Sequence, residues 1–97
     1  MPDNINIPFN IAIQAHITNG ATLTWQFPER VDISYFKFNI YTELVPFIPS
    51  PGTAAFTTSN TYQNVTSPSG SLSFYVAITS VDITTGDESP QSSLFFV

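Results

Sequence analysis

Ninety-seven residues make one domain, because a second would fall below the size at which a chain builds a core of its own. The absence of cysteine and the presence of a single histidine exclude a disulfide framework and a thiolate metal site, and leave little for a zinc centre or a serine triad. Arg30 and Lys37 stand alone against seven acidic residues, a net charge of −5, which rules out a nucleic-acid backbone or an anionic membrane face as partner.

The chain begins Met-Pro-Asp-Asn-Ile-Asn-Ile, with neither a basic region nor a continuous apolar stretch, so it does not read as a signal peptide. Residues 1–7 read as a flexible Asn- and Pro-rich N-terminal arm, of the kind that folds on a neighbour, with their order left open by the sequence, and residues 8–97 as the single domain. Eight prolines and four glycines cut the chain into short pieces, none with a helical apolar period. The pieces alternate with period two instead. A first strand is expected at Ile11 to Ala15. In the second, Ala21, Leu23 and Trp25 face one way and Thr22, Thr24 and Gln26 the other; in the third, Phe36, Phe38 and Ile40 oppose Lys37, Asn39 and Tyr41. Leu44 to Ile48 is demoted to an edge or a loop by Pro46 and Pro49. Short strands follow at Ala54 to Thr58 and Thr61 to Val65. Phe74, Val76 and Ile78 then alternate with Tyr75, Ala77 and Thr79, and Ser92 to Val97 closes the chain. Seven strands at this spacing predict an all-β, seven-stranded antiparallel β-sandwich. No apolar stretch approaches the roughly 20 residues of a membrane span, and Asn64-Val65-Thr66 reads as an accident of a Thr- and Asn-rich chain rather than a used glycosylation site.

Three blocks, Ala21-Thr22-Leu23-Thr24-Trp25, Tyr35-Phe36-Lys37-Phe38-Asn39-Ile40 and Phe74 to Asp82 followed by Gly86 and Ser89-Pro90, come in an order and at intervals that resemble the fibronectin type III domain, an immunoglobulin-like sandwich. The resemblance covers nearly the whole chain. It implies the core tryptophan of the second strand at Trp25 and the sixth strand at Phe74 to Asp82. Phe74 stands where the family has a corner tyrosine, which implies a looser corner, and the loop from Val65 to Ser73 is longer than the family's. The adhesion tripeptide that one branch of the family carries in the loop after the sixth strand is missing, since Thr85 precedes Gly86.

In such a sandwich the loops after the second and sixth strands share one end. That places Glu29, Arg30, Asp32, Asp82, Asp87 and Glu88 together as an acidic tip for a basic protein partner, with calcium at Asp82, Asp87 and Glu88 as a weaker alternative and plain solubility as the simplest. At the opposite end, Glu43 to Thr53 is stiffened by Pro46, Pro49 and Pro51, so Leu44, Val45, Phe47 and Ile48 cannot all turn inward and form an apolar docking element. In the competing reading Phe47 or Ile48 caps the core. His16 reads as a solvated or core-edge side chain, and Tyr35, Tyr41, Tyr62 and Tyr75 as outward-facing but scattered.

No nucleophile, base or cofactor loop stands out, so the expectation is a non-catalytic structural or protein-interaction module without a cofactor. Only 9% of residues are charged, so the surface must take its polarity from Ser, Thr and Asn. Such a coat repels copies weakly and favours self-association or packing in an assembly, although a secreted, protease-resistant surface has the same composition. A chain with these features and no export signal resembles accessory proteins of bacteriophage virions, such as head decorations or tail-associated domains. The alternative is a binding or spacer module of a larger extracellular bacterial protein that recognises a surface protein or glycan.

Overall fold

The computed structural model describes residues 5–15, 20–48, 52–67 and 74–97. Seven strands follow in chain order: β1 (Phe9–Ala15), β2 (Gly20–Gln26), β3 (Phe36–Glu43), β4 (Phe56–Thr58), β5 (Tyr62–Thr66), β6 (Tyr75–Asp82) and β7 (Phe95–Phe96). They form two antiparallel sheets, a three-stranded one in the order β1-β2-β5 and a four-stranded one in the order β4-β3-β6-β7, consistent with a β-sandwich. The accessible surface, 5714 Å², is close to the roughly 5,500 Å² that chain mass alone predicts.

Period-two alternation sets the core. Ala21, Leu23 and Trp25 of β2 and Val65 of β5 meet Phe36, Phe38 and Ile40 of β3 and Val76 and Ile78 of β6, with Phe27 and Phe74 closing in from the flanking loops. Phe38 joins the layers, presenting its ring edge-on to Trp25 (centroids 5.5 Å apart, 68° between planes) and to Phe27 (5.1 Å, 87°). The Trp25 Nε1–H is buried there without a hydrogen-bond partner among the described residues. Phe74 is fully buried, and its carbonyl accepts from Val97 N at 2.8 Å. Most of the loop that follows it backwards to Val65, residues 68–73, lies outside the described residues, as does His16.

Element bounds depart from the sequence expectation: β1 starts at Phe9 instead of Ile11, and β5 covers Tyr62–Thr66 instead of Thr61 to Val65. A short 3-10 turn, Ile33–Tyr35, precedes β3. Its start is fixed by Asp32, whose Oδ1 accepts from both the N–H (3.0 Å) and the hydroxyl (2.7 Å) of Ser34. β4 begins at Phe56 instead of Ala54, and β7 covers Phe95–Phe96 instead of Ser92 to Val97. Beside β6, serine hydroxyls stand in for the ladder carbonyls of the returning chain. Ser80 N donates to Ser89 Oγ and Ile78 N to Ser92 Oγ, both at 2.9 Å, while Ser89 N and Ser92 N return bonds to the carbonyls of Ser80 and Ile78 at 2.8 Å. Each hydroxyl passes its own proton to the next carbonyl, that of Pro90 or Ser93.

Asn6 and Pro8 are held against the body. Ser80, fully buried, donates its hydroxyl to Asn6 O at 2.6 Å, and Pro8 is fully buried. The chain then joins the three-stranded sheet through a register shift between Phe9 and Ala12, where Asn10 takes φ of 51°. Asparagine tolerates this left-handed conformation better than most residues.

Candidate functional site

The loops before β3 and after β6 do share an end, where Ile83 N donates to Tyr35 O at 2.9 Å. Val31, Asp32, Tyr35, Asp82 and Thr84 surround a shallow depression there. Two carboxylates of this end, those of Asp32 and Asp82, are drawn into their own turns. Asp32 caps the 3-10 turn, and these Ser34 hydrogen bonds hold its carboxyl below the usual carboxylate range. Asp82 Oδ1 accepts from Thr84 N (2.8 Å) and Thr85 N (3.4 Å), and Asp87 O accepts from Asp82 N at 2.9 Å. Glu29 and Arg30 are exposed in a turn.

Glu88 departs from the expected tip. Ile83 to Thr85 turn sharply, Gly86 adopts φ of 80°, and by residue 88 the chain is back beside β6 in a bridge to Val81. Its carboxylate therefore lies on the outer face of the four-stranded sheet, where Oε2 accepts from the hydroxyls of Tyr41 and Thr79 and, at 3.4 Å, from Asn39 Nδ2. Asp82, Asp87 and Glu88 accordingly do not converge, and among the described residues no group of three acidic or histidine side chains could hold a metal ion.

The same return corrects the reading of Tyr41 as an outward, open side chain. It points away from the core, as the alternation of β3 requires, yet only 2% of it is exposed, and Thr79 is as well covered at 3%. Burial pushes the Tyr41 hydroxyl up to about 12, helped by its hydrogen bond to Glu88 and by the charge of that carboxylate.

Of the apolar loop, Leu44, Val45 and Ile48 are exposed, by 44, 64 and 84%, and Phe47 is half-buried. Pro49 and Pro51 lie outside the described residues. Ile48 is brought over the outer face of the four-stranded sheet. With Tyr41, Thr79, Glu88, Pro90 and Gln91 it lines an open hollow of about 380 Å³. One candidate from each of two loops that the sequence places at opposite ends thus meets in a single site. Leu44 and Val45 do not line it. The sequence reading missed Asn39, Tyr41 and Thr79, which hold the carboxylate at the floor. The signal for them was three hydrogen-bonding side chains at outward positions on adjacent strands, where Asn39 is in register with Thr79 and Tyr41 with Ala77.

Chemically the hollow offers an apolar wall, Ile48 and Pro90, beside a carboxylate held by three neutral donors. Neither Arg30 nor Lys37 forms an ion pair with it. A negative charge fixed by hydroxyls beside exposed aliphatic carbon matches the stem and head of a lysine or arginine side chain. The sequence matches no protein-family model and no curated protein.

Proposed function

We propose that the chain is a non-catalytic module of the fibronectin type III kind that works by protein–protein contact, as an accessory part of a bacteriophage particle. The observation that carries this reading is the outer-face hollow, where Glu88, fixed by Tyr41 and Thr79, lies beside an Ile48 that is 84% exposed. A basic side chain of a partner would lay its aliphatic stem on Ile48 and Pro90 and bring its charge to the Glu88 carboxylate. The low-charge coat fits close packing in an ordered assembly, where each charged group removed from water carries a desolvation cost.

The test is affinity capture from lysates of source cells before and after lytic infection, with the native chain and the variants Glu88→Gln and Ile48→Asp as baits. The expected result is a particle protein retained by the native bait and lost from both variants, with thermal unfolding confirming that the variants are folded. Equal capture by all three baits overturns the hollow as the docking site. Capture of a cell-surface protein, or fluorescence shifts on titration with surface polysaccharide, supports the extracellular alternative.

A further inference from the structure

Among the described residues the two sheets end in four edge strands, and three of these are blunted. β1 carries the register shift and left-handed Asn10, β4 has three residues, and β7 has two. Short edges and bulges are common devices by which β-proteins prevent unwanted pairing; charge and proline are others. β5 has none of these. Tyr62-Gln63-Asn64-Val65-Thr66 is five residues long, pairs with β2 without a register shift, and contains neither a charged residue nor a proline.

The direction of its free edge follows from the ladder. Trp25 N donates to Thr61 O at 3.0 Å, which fixes Trp25 and Thr61 as a hydrogen-bonded pair. Bonded and non-bonded pairs alternate in an antiparallel ladder. Gln63 and Val65 therefore bond inward to Leu23 and Ala21, while the N–H and C=O groups of Tyr62, Asn64 and Thr66 point away from β2.

We propose that this edge pairs with a second copy of the same chain, β5 against β5 around a two-fold axis. A register centred on Asn64 sets Tyr62 opposite the second copy's Thr66. Every outward-pointing residue then meets an outward-pointing residue, which is the condition for an unbroken ladder. Six N–H···O bonds join the copies, and the sheet becomes β1-β2-β5-β5-β2-β1. The side chains of Tyr62, Asn64 and Thr66 are exposed, and the Tyr62 ring packs on the Thr66 methyl across the axis.

Charge selects a second copy as the occupant. Neither β1, β2 nor β5 contains a charged residue, so the net charge of −5 lies elsewhere and the joined sheet brings no like charges together. One side-chain bond stands in the way, from Gln63 Nε2 to Asn64 O at 2.9 Å, and pairing must displace it. Five residues a side bury less than the roughly 1,000 Å² of a stable interface, so the association is weak and depends on concentration. It does not depend on the hollow or on the identity of any particle.

The experiment is sedimentation equilibrium from micromolar to roughly 1 mM protein, paired with hydrogen exchange of the backbone amides at both extremes. A monomer–dimer equilibrium is expected, with Tyr62, Asn64 and Thr66 amides gaining protection at high concentration. Asn64→Lys, which sets two like charges on the axis at an exposed position, should abolish it and leave the thermal midpoint nearly unchanged. Gln63→Ala, which frees the Asn64 carbonyl, should strengthen it severalfold. Gln14→Lys on the far edge should leave it intact. A strict monomer with unchanged exchange overturns the proposal. So does a dimer abolished by Gln14→Lys and indifferent to Asn64→Lys.

Discussion

The three-stranded sheet carries no charged residue, whereas the four-stranded sheet carries Lys37, Glu43 and Asp82 on its strands and Glu88 bridged to its centre. Their outer faces differ in the same way. On the first, Thr24, Gln26, Tyr62, Asn64 and Thr66 are exposed, and side chains bond across strands, as from Thr22 Oγ1 to Asn64 Oδ1 at 2.7 Å. On the second, Tyr41, Ala77, Thr79 and Val81 are buried, and Glu88 ties the polar ones together. Polar groups that stay in water are free to change partners, while buried ones must be satisfied within the fold. The first face is therefore suited to meeting another molecule by its edge, and the second holds its own chain in place and presents one hollow.

The largest perturbation joins the two sheets and should ignore the difference between them. Phe38 is fully buried and touches both Trp25 and Phe27 edge-on. Phe38→Ala should cost about 3–5 kcal/mol, a large share of the stability of a domain this size. Urea unfolding followed by Trp25 fluorescence measures it. A loss under about 1 kcal/mol would mean that the layers are not packed through this ring.

The next effect belongs to the four-stranded sheet alone. Ser92→Ala removes the acceptor of the buried Ile78 N–H, and leaving such a donor without a partner costs about 1–3 kcal/mol. Ser89→Ala does the same to Ser80 N. Thermal unfolding of either variant, set against Thr24→Ala on the exposed face of β2, should separate the sheets, with only the serine changes lowering the midpoint by several degrees.

Alkaline pH should also act on this sheet alone. Tyr41 is held up to about 12 in the fold against an ordinary 10, so between those values the unfolded chain has lost a proton that the folded chain keeps. The unfolded state binds fewer protons there, and stability must fall as pH rises through this window. The expected observation is a thermal midpoint that drops above pH 10 more steeply than in Tyr41→Phe. An identical slope in both proteins would remove Glu88 and burial as the cause.

What the sequence disclosed divides along the same line. The alternations around Leu23, Phe38 and Val76 are local, and they located the strands, the two layers and the core residues that join them. The acidic residues of the loop after β6 were visible, but not the reversal at Gly86 that returns Glu88 to the face of the sheet. That reversal helps to cover the outward-pointing Tyr41 and Thr79, and no period within β3 or β6 encodes it. Ser89 and Ser92 were likewise readable only as parts of a loop and a strand. Their role as substitutes for ladder carbonyls follows from the position of β6 beside them.

The smallest expected effect is on the three-stranded sheet, and it bears most directly on what that sheet is for. The Thr22 hydroxyl donates to the side-chain Oδ1 of Asn64 across an exposed cross-strand pair, where such contacts contribute about 0.2–1 kcal/mol. A double-mutant cycle of Thr22→Val and Asn64→Ala, measured in dilute protein, should return a coupling in that range. At high concentration Asn64→Lys, which sets two like charges on the axis of pairing, should show an additional cost that the Thr22 change lacks. Equal costs at both concentrations would make the outer face of this sheet an inert, solvated surface. A cost that grows with concentration at Asn64 alone would assign the uncharged sheet to assembly.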